Sequence, residues 1–131
     1  MTLGQIKKQQ EEKLSQLFKD NGVFFAFSDE QFAENKTPLE PGDTYSSFYA
    51  GGYLPKKNFK QAEKGLNDIM NWKEQAIQDN GLREQHICYE LSNHEAFYTY
   101  EIEDTLDALG GDYTREEVWE VFNKNKDKYD E

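Results

Sequence analysis

The spacing of apolar residues changes period several times along the chain, and each change marks an element. Over 3–20, Ile6, Leu14, Leu17 and Phe18 fall near one helical face, with Thr2 placed to cap the start. Asn21-Gly22 stops that helix, because either residue tolerates a left-handed backbone. Over 58–79, Phe59, Ala62, Leu66, Ile69, Met70, Lys73, Ala76 and Ile77 step by three and four. This predicts the strongest helix of the chain, capped by Asn58 and ended by Asp79-Asn80-Gly81. Further helices are predicted over 82–94 through Ile87, Cys88 and Leu91, and over 101–109 through Ile102, Leu106 and Leu109. Ser28 with Gln31, and Thr114 with Glu117, have capping-box spacing. The first opens a short helix over 29–34 with Phe32 turned inward. The second opens a last helix through Val118, Trp119, Val121 and Phe122. Residues 123–131 form a polar tail expected to fray.

Val23-Phe24-Phe25-Ala26-Phe27 is short, wholly apolar and bounded by turn residues, which predicts a strand. With both faces apolar, it is expected to be covered on both and to lie near the centre of the fold. After a loop over 35–44 with two prolines, Tyr45-Ser46-Ser47-Phe48-Tyr49 is a second strand candidate, resumed by Tyr53-Leu54. The intervening Gly51-Gly52 marks a turn, a bulge or a close backbone approach. The expected class is α+β: a small antiparallel sheet of two or three short strands packed with four to six helices. With no repeat and no linker, residues 1–131 are expected to form a single domain.

Nineteen aromatic residues (nine Phe, eight Tyr, two Trp) among 131 supply enough bulk to close a core despite low mean hydropathy. The net charge is −11, and a chain this acidic repels a phosphate backbone, which disfavours direct nucleic-acid binding. A lone Cys88 forbids an internal disulfide and fits a reducing compartment. No apolar run approaches the ~20 residues of a membrane span. The N-terminus lacks the charged and apolar regions of a secretory signal, so a cytoplasmic location is expected.

The charge is uneven. Residues 1–22 carry net +1, residues 23–57 net −2, residues 58–100 net −3 and residues 101–131 net −7. Solvated helix faces are one explanation, and a surface that docks on a basic groove of a partner is the other. The candidate acids are Glu101, Glu103, Asp104, Asp107, Asp112, Glu116, Glu117 and Glu120. Tyr98, Tyr100, Tyr113 and Trp119 are the candidate buried anchors, because tyrosine and tryptophan combine an apolar body with a polar tip.

One cluster could do chemistry. His86, Glu90 and His94 step by four, and Glu95 and Cys88 lie nearby. Three such ligands along one helix span about 12 Å, too far for one ion, and only Glu90 and His94 form a comfortable pair. No nucleophile elbow, phosphate-binding glycine loop or dinucleotide fingerprint is present. No catalytic residue, metal or cofactor is therefore assigned. A small metal-dependent enzyme centred on Glu90, His94 and Glu95 is the alternative, and a structural or assembly module, such as a homodimer, is another.

Three stretches carry a resemblance. They are Phe24-Phe25-Ala26-Phe27-Ser28-Asp29-Glu30-Gln31-Phe32, Gly51-Gly52-Tyr53-Leu54-Pro55-Lys56, and Tyr89-Glu90-Leu91-Ser92-Asn93-His94-Glu95 leading to Asp104-Thr105-Leu106-Asp107-Ala108-Leu109-Gly110. In this order the chain resembles small acidic proteins of bacterial phages and mobile elements. The resemblance implies no enzyme activity and no cofactor. It implies instead an inhibitor of host defence machinery of the anti-CRISPR type, acting in the bacterial cytoplasm. Its partner would be a host protein with a basic surface, such as a CRISPR effector nuclease.

Overall fold

The computed structural model describes residues 1–128. In chain order the elements are α1 (Leu3–Asp20), β1 (Phe24–Phe25), α2 (Asp29–Asn35), β2 (Tyr45–Ser47), β3 (Gly52–Pro55), α3 (Phe59–Asp79), α4 (Arg83–Asn93), α5 (Ala96–Thr99), α6 (Glu103–Leu109) and α7 (Arg115–Asn125). Single 3-10 turns occur at Tyr49–Gly51, Lys56–Asn58 and Lys126–Lys128. The α+β class holds, and the one-turn helix α5 adds to those the periodicity predicts. No helix among the described residues is long and apolar enough to cross a membrane. The chain divides into two compact units, Gly4–Gln75 and a second running from Ala76 onward together with Met1–Leu3. The division falls inside α3, so no change of composition marks it.

The first unit holds the sheet. Its order is β1-β3-β2 and both pairings are antiparallel, with Phe24 opposite Tyr53 and Ser46 opposite Leu54. The expectation for Val23–Phe27 is therefore corrected. Only Phe24 and Phe25 pair, β1 is an edge strand, and Phe27 is 79% exposed. The cause is the capping box that follows. Ser28 Oγ accepts the Gln31 N–H at 3.1 Å, and Gln31 Oε1 accepts the Phe27 N–H at 2.9 Å. Asn35 Nδ2 then donates to the Phe25 carbonyl at 2.9 Å. Helix α2 thus begins too soon for the strand to continue, and it satisfies backbone groups at the strand's outer edge. Phe32 does turn inward, meeting Phe24, Tyr45 and Tyr53 with ring centroids 5.1–5.3 Å away. Such edge-to-face contacts each add about 0.5–1.5 kcal/mol beyond area burial.

Gly51-Gly52 forms a turn. The Phe48 N–H donates to the Gly52 carbonyl at 2.8 Å, closing the connection between β2 and β3. Gly51 has φ +81°, and a Cβ on it would lie 2.8 Å from the Phe27 ring. A Cβ on Gly52 would lie 2.9 Å from the Tyr49 carbonyl oxygen. Gly52→Ala is expected to destabilise the protein by about 1–3 kcal/mol, measured as a lower urea midpoint. An unchanged midpoint would mean that the turn relaxes freely. Asn58, expected to cap α3, lies instead in the preceding 3-10 turn, and its Nδ2 donates to the Asn21 carbonyl at 3.0 Å. The side chain ties down the chain after α1 rather than a helix start.

The second unit is built on an apolar cluster of Ile87 and Leu91 from α4, Phe97 from α5, Leu109 from α6, and Val118 and Phe122 from α7. Phe122, 1% exposed, is ringed by other aromatics. Phe97 stacks on it at 5.5 Å, Trp119 stacks at 5.1 Å, and Tyr100 meets it edge-on at 5.7 Å. The expected fraying from residue 123 does not begin there. Asn125 is 6% exposed, its Nδ2 donates to the Val121 carbonyl at 2.8 Å, and a 3-10 turn carries the chain to Lys128. The remainder of the expected tail, residues 129–131, lies outside the described residues.

Candidate functional site

All the candidate interaction residues lie in the second unit, on α5, α6, α7 and the loops between them. Thr114 Oγ1 accepts the Glu117 N–H at 3.1 Å and starts α7, as the capping-box spacing predicts. The reciprocal half of the box does not form, because the Glu117 carboxylate is taken by Arg83 from α4. Arg83 Nη2 donates to Glu117 Oε2 at 2.9 Å, and Nε donates to Oε1. Nη2 also donates to the Asp112 carbonyl, and the guanidinium carbon lies 4.0 Å from the centre of the Tyr113 ring. This clamp joins α4, the loop before α7 and α7 itself.

The candidate residues separate accordingly. Tyr113 is corrected: it is 5% exposed, belongs to the apolar cluster, and its ring contacts both Arg83 and His86 of α4, so it is not an anchor for a partner. Glu117 serves the clamp rather than an open surface. Glu101, Glu103, Asp104, Asp107, Asp112, Glu116 and Glu120 are all exposed. Tyr98 is 86% exposed beside a depression of about 470 Å³ that Ser92, Glu95 and Phe97 also line. Tyr100 and Trp119, 49% and 44% exposed, flank Phe122 from two sides. Next to Trp119 a second depression of about 370 Å³ is lined by Ile102, Arg115 and Glu116. The structure therefore brings Tyr100, Trp119, Glu103 and Glu116 together around Ile102 and Phe122, and places Glu117 and the Asp112 carbonyl on the other flank of α7 with Arg83.

The backbone displays these tyrosines by local strain. Glu95 (φ 57°) and Tyr100 (φ 63°) are left-handed non-glycine residues at the two ends of α5. Such residues cost about 1–3 kcal/mol each and persist only where the surroundings impose them. Here the buried Ala96 and Phe97 pin the turn from inside.

Glu103 accepts two hydrogen bonds from Arg115, Nη1 to Oε1 at 2.7 Å and Nη2 to Oε2 at 2.6 Å. The Arg115 guanidinium holds the Glu103 carboxyl below the usual carboxylate range. Lys124 does the same for Glu84, with Nζ 3.2 Å from its Oε1. A folded-state pKa below the unfolded value gives stability that is present above about pH 4.3 and is lost as pH falls through the folded value. Carboxyl NMR titration is expected to place both midpoints below the glutamate norm, and Arg115→Gln to return Glu103 alone to it. A normal midpoint for Glu103 in the wild-type chain would show that the pair does not persist in solution.

Within the histidine cluster, Glu90 and His94 meet, with Oε2 and Nε2 3.4 Å apart. His86 is buried with its ring edge-on to Tyr113. Glu95 faces the depression beside Tyr98. His94 ends α4, its N–H bonding to the Glu90 and Ser92 carbonyls. Among the described residues no three His, Cys, Asp or Glu side chains are grouped to hold one ion. Cys88 is half-buried against the apolar cluster, and burial followed by the Glu84 charge pushes its thiol pKa up.

Arg83, Arg115 and Phe122 escape an argument built on acid and tyrosine positions. A usable signal exists for the arginines. The chain has thirteen lysines and two arginines, and each arginine makes a two-pronged bond to a carboxylate. Arginine's planar fork suits that geometry and lysine's point charge does not. No curated protein and no solved structure matches the chain. Residues 6–128 match the Family of unknown function (DUF7659), and the chain belongs to that family.

Proposed function

We propose that this protein is a non-catalytic binding module that docks on a basic surface of a nucleic-acid-handling protein and blocks it. The observation that carries this is the pair of half-exposed aromatics, Tyr100 and Trp119, held on Phe122 beside exposed carboxylates. Between Glu101 and Glu120 the chain places eight acids against one arginine. Central aromatics with a charged rim are the usual composition of a binding hot spot, and the rim charges speed encounter with an oppositely charged partner. The acidic rim suits a groove that otherwise holds a phosphate backbone. The resemblance to phage and mobile-element proteins narrows the partner to a host defence protein such as a CRISPR effector nuclease, with the bacterial cytoplasm as the place of action.

Affinity capture from a bacterial lysate, with heparin as competitor, tests this. Nucleic-acid-binding proteins released by heparin are expected, with their nucleic-acid binding inhibited by the purified protein. Capture that resists heparin, or an identical set of captured proteins with Trp119→Ala, would rule out this surface. Against an identified partner, joint Glu101→Gln, Glu103→Gln, Glu116→Gln and Glu120→Gln is expected to slow association about tenfold at low salt. Glu117 is left intact there, because neutralising it would break the Arg83 clamp.

A further inference from the structure

We infer that the depression beside Trp119 seats a single arginine side chain of the partner, its guanidinium stacked on the indole and bonded to the Glu116 carboxylate. This rests on the proposed docking function and names the chemical group recognised. Ile102 and Trp119 give the depression an apolar wall for the methylene stem of such a side chain. Tryptophan is the best aromatic partner for a cation, and Trp119 keeps 44% of its surface open while one face rests on Phe122. Glu116 lines the same depression, is exposed, and makes no ion pair among the described residues. The cationic group already at the rim, Arg115, has its charge matched by the two-pronged bond to Glu103.

The chain itself contains the arrangement inferred. On the other flank of α7, Arg83 lies over the Tyr113 ring and forks onto Glu117, the residue next to Glu116. What α7 does internally through Glu117, it offers outward through Glu116 and Trp119. The preference is for arginine over lysine, because only the planar guanidinium stacks on a ring and bonds a carboxylate at its edge together. A protein groove that binds nucleic acid supplies such arginines.

The test is titration of the full chain with two unstructured heptapeptides of equal charge, alternating glycine with arginine or with lysine. The two indole N–H signals, from Trp72 and Trp119, are followed by NMR. The arginine peptide is expected to move the Trp119 signal, leave Trp72 in place, and bind about fivefold more tightly than the lysine peptide. Trp119→Leu and, separately, the exposed Glu116→Gln are each expected to remove that preference. Equal, salt-sensitive binding of both peptides would overturn the arginine seat and leave the acidic docking surface standing. Binding of neither peptide would overturn both. A preference that survives Trp119→Leu and Glu116→Gln would place the arginine site elsewhere and overturn the inference.

Discussion

Phe122→Ala is expected to cost about 3–5 kcal/mol of unfolding free energy, the largest effect of any single change in the second unit. The side chain is 1% exposed, and three aromatic rings from α5, the residue after it and α7 lie within 5.7 Å of it. Truncation removes buried area and also leaves Phe97, Tyr100 and Trp119 without the surface they lean on, so a cavity term adds to the transfer term. The loss extends to the candidate interaction surface, because Tyr100 and Trp119 owe their positions to this ring. Urea unfolding followed by near-ultraviolet circular dichroism reads both effects. Phe122→Leu, which retains most of the volume, is expected to recover more than half of the stability. A change below about 1 kcal/mol for Phe122→Ala would show that the aromatic cluster does not hold this unit together.

Arg83→Met is the second large effect, expected at about 2 kcal/mol. Arg83 and Glu117 are only 27% and 30% exposed at their side chains, so removing the cation leaves a partly buried carboxylate without its partner and also takes the donor from the exposed Asp112 carbonyl. Partial solvation lowers the cost below that of a fully buried pair. Three features of the clamp act together: the fork onto Glu117, the bond to the Asp112 carbonyl and the contact with the Tyr113 face. Arg83→Lys is therefore expected to lose over half as much as Arg83→Met, although it keeps the charge. In a double-mutant cycle with Glu117→Gln, the combined loss should fall short of the sum of the single losses. Additive losses would mean that the two side chains do not act as a pair.

Local chemistry was legible in the chain wherever a few neighbouring residues decide the outcome. Ser28 and Thr114 cap the helices their spacing predicts, and Asn21-Gly22 ends α1 with a glycine at φ +67°. The apolar stripe of α3 is also in place, with Ala62, Ile69, Ala76 and Ile77 buried. What failed depended on side-chain reach and backbone conformation that composition and periodicity do not encode. The extent of β1 was set by Gln31 and Asn35 reaching back from α2, although the strand's composition favoured a longer run. Tyr113 is a core residue because it packs in the apolar cluster with Arg83, thirty positions earlier, lying over its ring. Helix α5 was hidden because its limits are left-handed turns at Glu95 and Tyr100, residue types that do not announce that conformation. For the candidate surface, the acidic stretch and two of its aromatics were legible as residue types. Their grouping was not, because periodicity does not reveal which flank of α7 meets which loop.

Glu116 and Glu120 on α7 are exposed, whereas Glu117 between them is committed to Arg83. One step along the helix therefore separates a position open to change from one tied to the scaffold. Under the proposed docking function, variation at 116 and 120 would redirect the choice of target with little penalty to folding, so partner specificity would be free to drift while the architecture stays fixed.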